Sequence, residues 1–192
     1  ARALSLTPSP AAVPNSSLAH MFGVLASRVG SGDGLFLGDV NRDGDWTIDV
    51  ARCERAFRES VSDGRPILLL GTAFSFVHLC DGLGGPMELP EGSLAMETGG
   101  YKGRSRELAK ESLHGLIGST LGLPADRILC EYGMCELSSP AYDVADRCLA
   151  PGERSFRFPA WVRVRIVSPE NGRDVAVGET GLVQIVDLAN IA

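Results

Sequence analysis

Two short polar segments carry the residues whose types and spacing could do chemistry. In residues 98–101, the pair Gly99-Gly100 would let a planar or phosphorylated ligand approach the backbone closely, although a tight turn would also explain it. In residues 132–136, Tyr132 offers an aromatic face for stacking and Glu136 a hard carboxylate oxygen that suits Mg²⁺. These residue types favour a site for such a ligand together with a divalent cation.

Alternating apolar and turn-forming segments predict the elements that must position these residues. The pattern is strand, helix, strand, helix, strand, at residues 67–70, 73–81, 93–97, 105–121 and 127–131. Because the connections are short, we expect parallel strands, and ligands of parallel sheets bind beyond the carboxyl ends of the strands. Three loops follow strands at that edge, at residues 71–72, 98–101 and 132–136. The sequence therefore predicts that these loops form one binding site.

The N-terminal quarter of the chain gives weaker signals. Residues 1–17 are rich in proline, serine and threonine, which indicates an extended connector, and a short helix is expected at residues 18–26. A turn-forming segment between residues 35–37 and 46–48 predicts a β-hairpin. Asp49 is then expected to cap the next helix.

The C-terminal end changes to a period of two. Residues 161–167 and 181–188 alternate between apolar and polar side chains, which predicts a small antiparallel β unit. The predicted fold class is α/β, a parallel-sheet core of βαβ units with that antiparallel unit appended. The predicted segments are a connector with a short helix, an α/β core and an antiparallel β unit, at residues 1–34, 35–150 and 151–192.

Composition excludes several classes of function. The 192 residues are 44% apolar and 22% charged, as in a soluble protein with a core. With 18 basic and 24 acidic residues the net charge is −6, so we expect no nucleic-acid partner. We expect no membrane partner either, because no apolar run approaches the roughly 20 residues of a spanning helix. Five cysteines without a Cys-x-x-Cys pair favour reduced thiols and a cytoplasmic location.

Other features have more than one interpretation. Residues 39–45 fit the first half of a calcium-binding loop, but Val50 stands where the loop needs a glutamate. A hairpin turn explains the segment without a metal and is the favoured interpretation. His78 could be a core residue or line a substrate pocket. Three basic residues follow the glycine pair of residues 98–101, and they could attract phosphate or form a solvated helix face. They are Lys102, Arg104 and Arg106.

Residues 131–137, Glu-Tyr-Gly-Met-Cys-Glu-Leu, resemble the Tyr-Gly-x-Thr-Glu motif of the adenylate-forming superfamily. Residues 96–108 and the closing segments 178–181 and 187–190 are similar to the acyl-protein synthetase family, the fatty-acid-activating component of bacterial bioluminescence and its relatives. The resemblance covers roughly residues 65–190. It implies that the chain is a fragment of a larger adenylation domain.

The resemblance implies ATP-dependent activation of a carboxylic acid, fatty or otherwise hydrophobic, to an acyl-adenylate, with transfer to an acceptor protein or CoA. Glu136 would bind Mg²⁺, and Tyr132 would stack on the adenine. The implied nucleotide-binding residues are Thr98, Gly99, Gly100, Tyr101, Glu131, Tyr132, Gly133, Met134 and Cys135. The implied acyl-substrate pocket is lined by Phe74, Phe76 and His78.

The sequence departs from the family pattern in three ways. Cys135 stands where the motif has a threonine, and a thiol is the weaker hydrogen-bond donor. No Ser/Thr/Gly-rich phosphate loop precedes residue 65, and the ribose-binding aspartate and catalytic lysine of the superfamily would lie past Ala192. We therefore expect no catalytic residue within this chain and no activity of the chain alone. A non-catalytic nucleotide-binding or interaction module and a CoA ligase remain alternatives.

Overall fold

A seven-stranded sheet forms the centre of the protein. The computed structural model describes residues 1–29, 35–101, 106–134, 136–144 and 154–190. The strands are β1 (Arg2–Ser5), β2 (Leu35–Phe36), β3 (Gly38–Val40), β4 (Trp46–Ile48), β5 (Ile67–Thr72), β6 (Leu94–Thr98), β7 (Ile128–Tyr132), β8 (Ala141–Asp143), β9 (Phe156–Arg157), β10 (Val162–Val167) and β11 (Leu182–Asp187). The helices are α1 (Ser17–Val29), α2 (Val50–Ser62), α3 (Ala73–Gly82) and α4 (Lys110–Leu121), and a 3₁₀ turn spans Ala125–Arg127.

The sheet is mostly parallel, with strand order β2-β1-β5-β6-β7-β8-β9. The first five strands in that order pair in parallel, whereas β8 and β9 are antiparallel additions at one edge. The predicted α/β class and the βαβ core are therefore confirmed. The strands β8 and β9 were not predicted, because three and two residues are too few to show a periodic pattern.

Successive side chains of each strand point to opposite faces of the sheet, and each face has its own apolar cluster. On one face Leu69 packs with Phe57 of α2 and Phe76 of α3, and Ile117 of α4 joins the same cluster. On the other face Leu70 packs with Phe22 of α1. Both Phe57 and Phe76 are fully buried. Truncation of such a ring to alanine typically costs about 3–5 kcal/mol, so each of these buried rings contributes strongly to the stability of the fold.

The N-terminal segment corrects one expectation. An extended connector over residues 1–17 was wrong for Arg2–Ser5, which forms β1 inside the sheet. Here Leu4 and its neighbours are buried because β1 lies between β2 and β5. The prolines that suggested a connector begin only at Pro8, after the strand has ended.

The predicted hairpin is confirmed with a shifted first strand. The antiparallel pair is β3 with β4, since Leu35–Phe36 pairs with β1 in the main sheet instead. Asn41 Oδ1 accepts the backbone N–H of Asp43 at 2.9 Å and of Asp45 at 2.8 Å, which closes the turn. Asp49 caps α2 as expected, accepting the N–H of Arg52 at 3.0 Å.

The helix α4 begins later than expected. It starts at Lys110 rather than at residue 105, and residues 106–109 are irregular. The carbonyl of Leu108 accepts a hydrogen bond from the Tyr101 hydroxyl at 3.1 Å, which ties this irregular segment to the preceding loop. The helix ends, as expected, at Gly122, which adopts the left-handed conformation with φ +66°.

The C-terminal residues form the predicted antiparallel unit, in which β10 pairs with β11 from Val162 opposite Asp187 to Val167 opposite Leu182. We call residues 161–190 the C-terminal hairpin. The three predicted segment boundaries stay a prediction. Within the described ranges of the chain, no helix is long and apolar enough to cross a bilayer.

Candidate functional site

The carboxyl ends of β5, β6 and β7 meet at one edge of the sheet. Thr72 lies beside Thr98, and Thr98 lies beside Glu131, in the parallel register of the three strands. This register brings the loop after β6 next to the loop after β7. The predicted convergence of the strand ends is therefore confirmed, and we call this region the carboxyl edge.

The loop after β6 presents bare backbone at the carboxyl edge. Gly99 and Gly100 are exposed, and nothing lies within 4 Å of the position that a Cβ would take on either residue. Thr98 is buried, and Tyr101 is half-buried against the core with its hydroxyl bonded to Leu108. Burial raises the pKa of Tyr101. The glycine pair is thus open to a ligand, while its two neighbours anchor it.

The last residue of β7, Tyr132, places an aromatic ring at the same edge. The Tyr132 ring lies 5.7 Å from the Phe156 ring and 6.1 Å from the Phe158 ring, measured between centroids. Its hydroxyl donates to the sulfur of Met134 at 3.5 Å. Tyr132 is half-buried, so part of the ring stays accessible for stacking. The two phenylalanines fix the ring from β9 and the residues after it, and the sequence patterns did not point to them.

Glu131 differs from the other residues of the motif because it is buried. Only 6% of the residue is exposed, and burial, followed by the charge of Glu97, raises the pKa of its carboxyl group to about 7. A Cβ at Gly133 would lie 2.5 Å from Glu131 Oε1. Glycine at position 133 therefore leaves room for that carboxylate, while Gly133 and Met134 themselves are exposed.

Glu136 is an exposed carboxylate directly after the β7 loop, and Cys135 lies outside the described residues. No group of three or more histidine, cysteine, aspartate or glutamate side chains comes together in the described ranges. Mg²⁺ commonly takes one or two protein carboxylates and completes its shell with water and substrate phosphates. A single exposed carboxylate fits that mode of binding.

A buried pair of polar side chains lies behind the loop after β6, and the sequence patterns did not predict it. His114 of α4 and Glu97 of β6 are each 2% exposed, and Nε2 lies 3.2 Å from Oε1. Glu97 directly precedes Thr98, so the pair fixes the base of the glycine loop to α4. The two residues are 17 positions apart, and only the packing of α4 on the sheet brings them together.

The residues expected to line a substrate pocket separate into two environments. Phe74 and His78 lie one turn apart on α3 with ring centroids 5.9 Å apart, and His78 is exposed, which excludes a core role for it. Phe76 is fully buried in the core. Residues two positions apart on a helix point to different sides, which is why the three rings do not share one surface.

Of the three basic residues that follow the loop after β6, the structure describes Arg106. Arg106 makes an ion pair with Asp81 at 2.7 Å between Nη2 and Oδ1, whereas Lys102 and Arg104 lie outside the described residues. The arginine is exposed, so this pair contributes little to stability. It does join the end of α3 to the segment before α4.

Comparison with solved structures shows several chains with a similar fold, among them an ATP-bound chimera and an apo protein. An ATP-bound chimera of RpMatB and BxBclM matches 97% of this chain and 31% of its own chain, with a TM-score of 0.60 and 14% identity. Apo MatB from Rhodopseudomonas palustris matches 97% of this chain and 32% of its own, again with a TM-score of 0.60 and 14% identity. This chain has the fold of a part of MatB. It spans about a third of the length of those chains.

No protein-family model matches the sequence, and no curated protein matches it. At 14% identity the likeness to the solved structures shows the fold alone. The function of the carboxyl edge therefore has to be argued from its residues.

Proposed function

We propose that this chain is part of an ATP-dependent ligase that activates a carboxylic acid as its acyl-adenylate. The observation that carries the proposal is the register of β6 and β7, in which Thr98 lies beside Glu131. It brings the segment that starts with the open Gly99-Gly100 backbone next to the segment that carries Tyr132 and, four residues further on, the exposed Glu136. Two further points support it, namely the motif resemblance of residues 131–137 and the fold of MatB, which is an adenylate-forming ligase.

Each residue of the carboxyl edge has a role in this proposal. The adenine lies against the Gly99-Gly100 backbone and stacks on Tyr132, with Thr98, Tyr101, Glu131, Gly133 and Met134 shaping the site. Glu136 holds Mg²⁺, which neutralises charge on the phosphates of ATP when it is bound. By the motif resemblance, Cys135 is the residue that would hydrogen-bond the α-phosphate. Phe74 and His78 lie toward the acyl substrate.

The proposed reaction is a displacement at the α-phosphorus of ATP. An oxygen of the carboxylate forms a bond to that phosphorus, the bond to the β-phosphate oxygen breaks, and pyrophosphate leaves. The acid is fatty or otherwise hydrophobic. A thiol of CoA or of an acceptor protein then attacks the acyl carbon, the bond from that carbon to the phosphate oxygen breaks, and AMP and the thiol proton leave. These assignments concern the whole protein, of which this chain is a part.

The test is carboxylate-dependent exchange of labelled pyrophosphate into ATP by the parent protein. Exchange that needs a long-chain acid and falls at least tenfold in Glu136→Gln supports the proposal. The matched control is Glu170→Gln, an exposed glutamate in the C-terminal hairpin that should leave exchange unchanged. Absence of exchange with any acid would overturn the ligase proposal.

A second function is favoured by Cys135, which replaces the threonine of the family motif with a weaker donor. A module that binds ATP without chemistry would bind ATP in calorimetry and show no exchange. In that case Cys135→Thr would restore exchange. If Cys135→Thr changes nothing in an active enzyme, the cysteine is a working variant.

A further inference from the structure

The C-terminal hairpin contacts the loop that carries Glu136. Asp187, the last residue of β11, accepts the backbone N–H of Ser138 with Oδ2 at 2.9 Å. Its Oδ1 accepts the N–H of Ala189 at 3.0 Å, so both carboxylate oxygens are used. The bond from Asp187 to Ser138 spans 49 positions of the chain and joins the two units of the fold.

Two more side chains of the hairpin bond to the same loop. The Asn190 amide donates to the backbone carbonyl of Glu136, and the Trp161 indole N–H donates to Ser139 Oγ at 3.1 Å. The residue after Asp187 is bonded to Trp161, because the Leu188 N–H donates to the Trp161 carbonyl at 3.2 Å. One end of the hairpin thus holds the main chain on both sides of Leu137.

This arrangement leaves the Glu136 carboxylate exposed while its own backbone is fixed. The peptide groups of Glu136 and Ser138 are bonded to the hairpin, and the Leu137 N–H donates to the Met134 carbonyl at 3.0 Å. An exposed side chain on a free loop would sample many positions, and ordering it would oppose metal binding. Outer partners that orient a ligand typically change metal affinity about 10–100-fold.

We propose that Asp187 and Asn190 are positioning residues that hold the Glu136 loop in the conformation that binds the metal of the ATP complex. The inference rests on the proposed function, since it takes Glu136 as the ligand. Neither residue touches the metal. Each acts through a backbone group of the loop, Asp187 through Ser138 N–H and Asn190 through the Glu136 carbonyl.

The first test measures the loop itself, without metal or nucleotide. Hydrogen exchange of residues 136–139 in the parent protein should become at least tenfold faster in Asp187→Ala. The matched control is Asp174→Ala, because Asp174 pairs with Arg165 on the exposed surface of the same hairpin. Equal exchange in Asp187→Ala and the wild type would overturn the proposal.

The second test measures binding of Mn²⁺ in the presence of ATP by electron paramagnetic resonance. Asp187→Ala and Asn190→Ala should each raise the dissociation constant of Mn²⁺, Asp187→Ala by about tenfold. In a Glu136→Gln background the same changes should have no further effect, because the ligand that they position is gone. Additive losses in the double variants would overturn the positioning role. Asn190→Ala removes the amide bond to the Glu136 carbonyl and keeps Asp187, so it remains informative if Asp187→Ala fails to fold.

The outcomes separate this inference from the proposed function. If Glu136→Gln weakens Mn²⁺ binding and Asp187→Ala does not, the positioning role is wrong and the ligase proposal stands. If Glu136→Gln leaves Mn²⁺ binding unchanged, Glu136 is not the ligand, and both statements about the metal fail together.

Discussion

Nε2 of His114 lies 3.2 Å from Oε1 of Glu97, and both side chains are almost completely buried. Removing one partner of a buried pair leaves the other without compensation, which typically costs about 3–5 kcal/mol. We expect His114→Ala to lower the free energy of unfolding by about that amount in urea titrations. The control His20→Ala, on the exposed side of α1, should change it by less than about 0.5 kcal/mol.

The double variant Glu97→Gln, His114→Ala separates the lost pair from the lost volume. Because no unpaired carboxylate remains, it should be more stable than His114→Ala alone. If the double variant is as unstable as the sum of the two single changes, the two groups are not coupled and the pair does not explain the loss.

Glu131 predicts a dependence of stability on pH. Its pKa is raised from 4.5 to about 7 by burial and then by Glu97, so the folded state binds the proton more tightly than the unfolded chain does. Stability should therefore fall as pH rises from 4.5 through 7, and the penalty is fully present above 7. Glu131→Gln removes this penalty, and it should be more stable than the wild type by up to about 3 kcal/mol at pH 8.

The measurement compares urea unfolding of the two proteins at pH 5 and pH 8. The advantage of Glu131→Gln should shrink below about 1 kcal/mol at pH 5, where the folded carboxyl group is protonated. Tyr142 lies opposite Glu131 in the sheet, and burial, followed by the charge of Glu131, raises the pKa of its hydroxyl group. Glu170→Gln is the control and should follow the wild type at both values. If Glu131→Gln is more stable than the wild type by the same amount at pH 5 and at pH 8, the raised pKa of Glu131 is not the cause.

Substitution of alanine for two glycines of α4 and its C-terminal cap should change the stability of the protein in opposite directions. Gly122 has φ +66°, and a Cβ there would lie 3.1 Å from the Glu88 Cα, so Gly122→Ala should cost about 1–2 kcal/mol. Gly115 lies on the exposed side of α4, and nothing lies within 4 Å of the position that a Cβ would take there. Gly115→Ala should therefore raise the free energy of unfolding by about 0.5–1 kcal/mol through helix propensity. Thermal unfolding of both variants measures the signs. A gain for Gly122→Ala would contradict the left-handed end of α4.

The aromatic ring at the carboxyl edge can be tested through ATP affinity. Stacking of a base on an aromatic side chain contributes about 1–3 kcal/mol, so Tyr132→Ala should weaken ATP binding about tenfold in calorimetry. Phe156→Ala should weaken it by a smaller factor, because Tyr132 loses the ring that lies 5.7 Å away. The control is Tyr132→Phe, which keeps the ring and removes only the bond to Met134. Equal affinities for Tyr132→Ala and Tyr132→Phe would show that the ring does not stack.

The sequence was informative where a structural cause is local. The cap at Asp49 and the apolar run of β5 depend on neighbouring residues, and both were predicted. The carboxyl edge was also predictable, because parallel strands necessarily end side by side. The site residues follow from that edge, although their roles stay a prediction.

The features that were missed depend on contacts between distant residues. Nothing near Arg2–Ser5 shows that it inserts between β2 and β5, since its burial is created by strands more than 30 positions away. The bonds of Asp187 to Ser138 and of Asn190 to Glu136 likewise join segments that only the folded chain brings together.

The two outermost strands of the central sheet, β2 and β9, are each two residues long. An outer strand carries unpaired N–H and C=O groups, and a long one serves as a template on which another chain can add. Strands this short offer few such groups, whereas β5, with the apolar run at residues 67–70, is enclosed between β1 and β6. Within the central sheet, the strand order therefore places this apolar run where both of its edges are already paired and cannot add a strand from a second molecule.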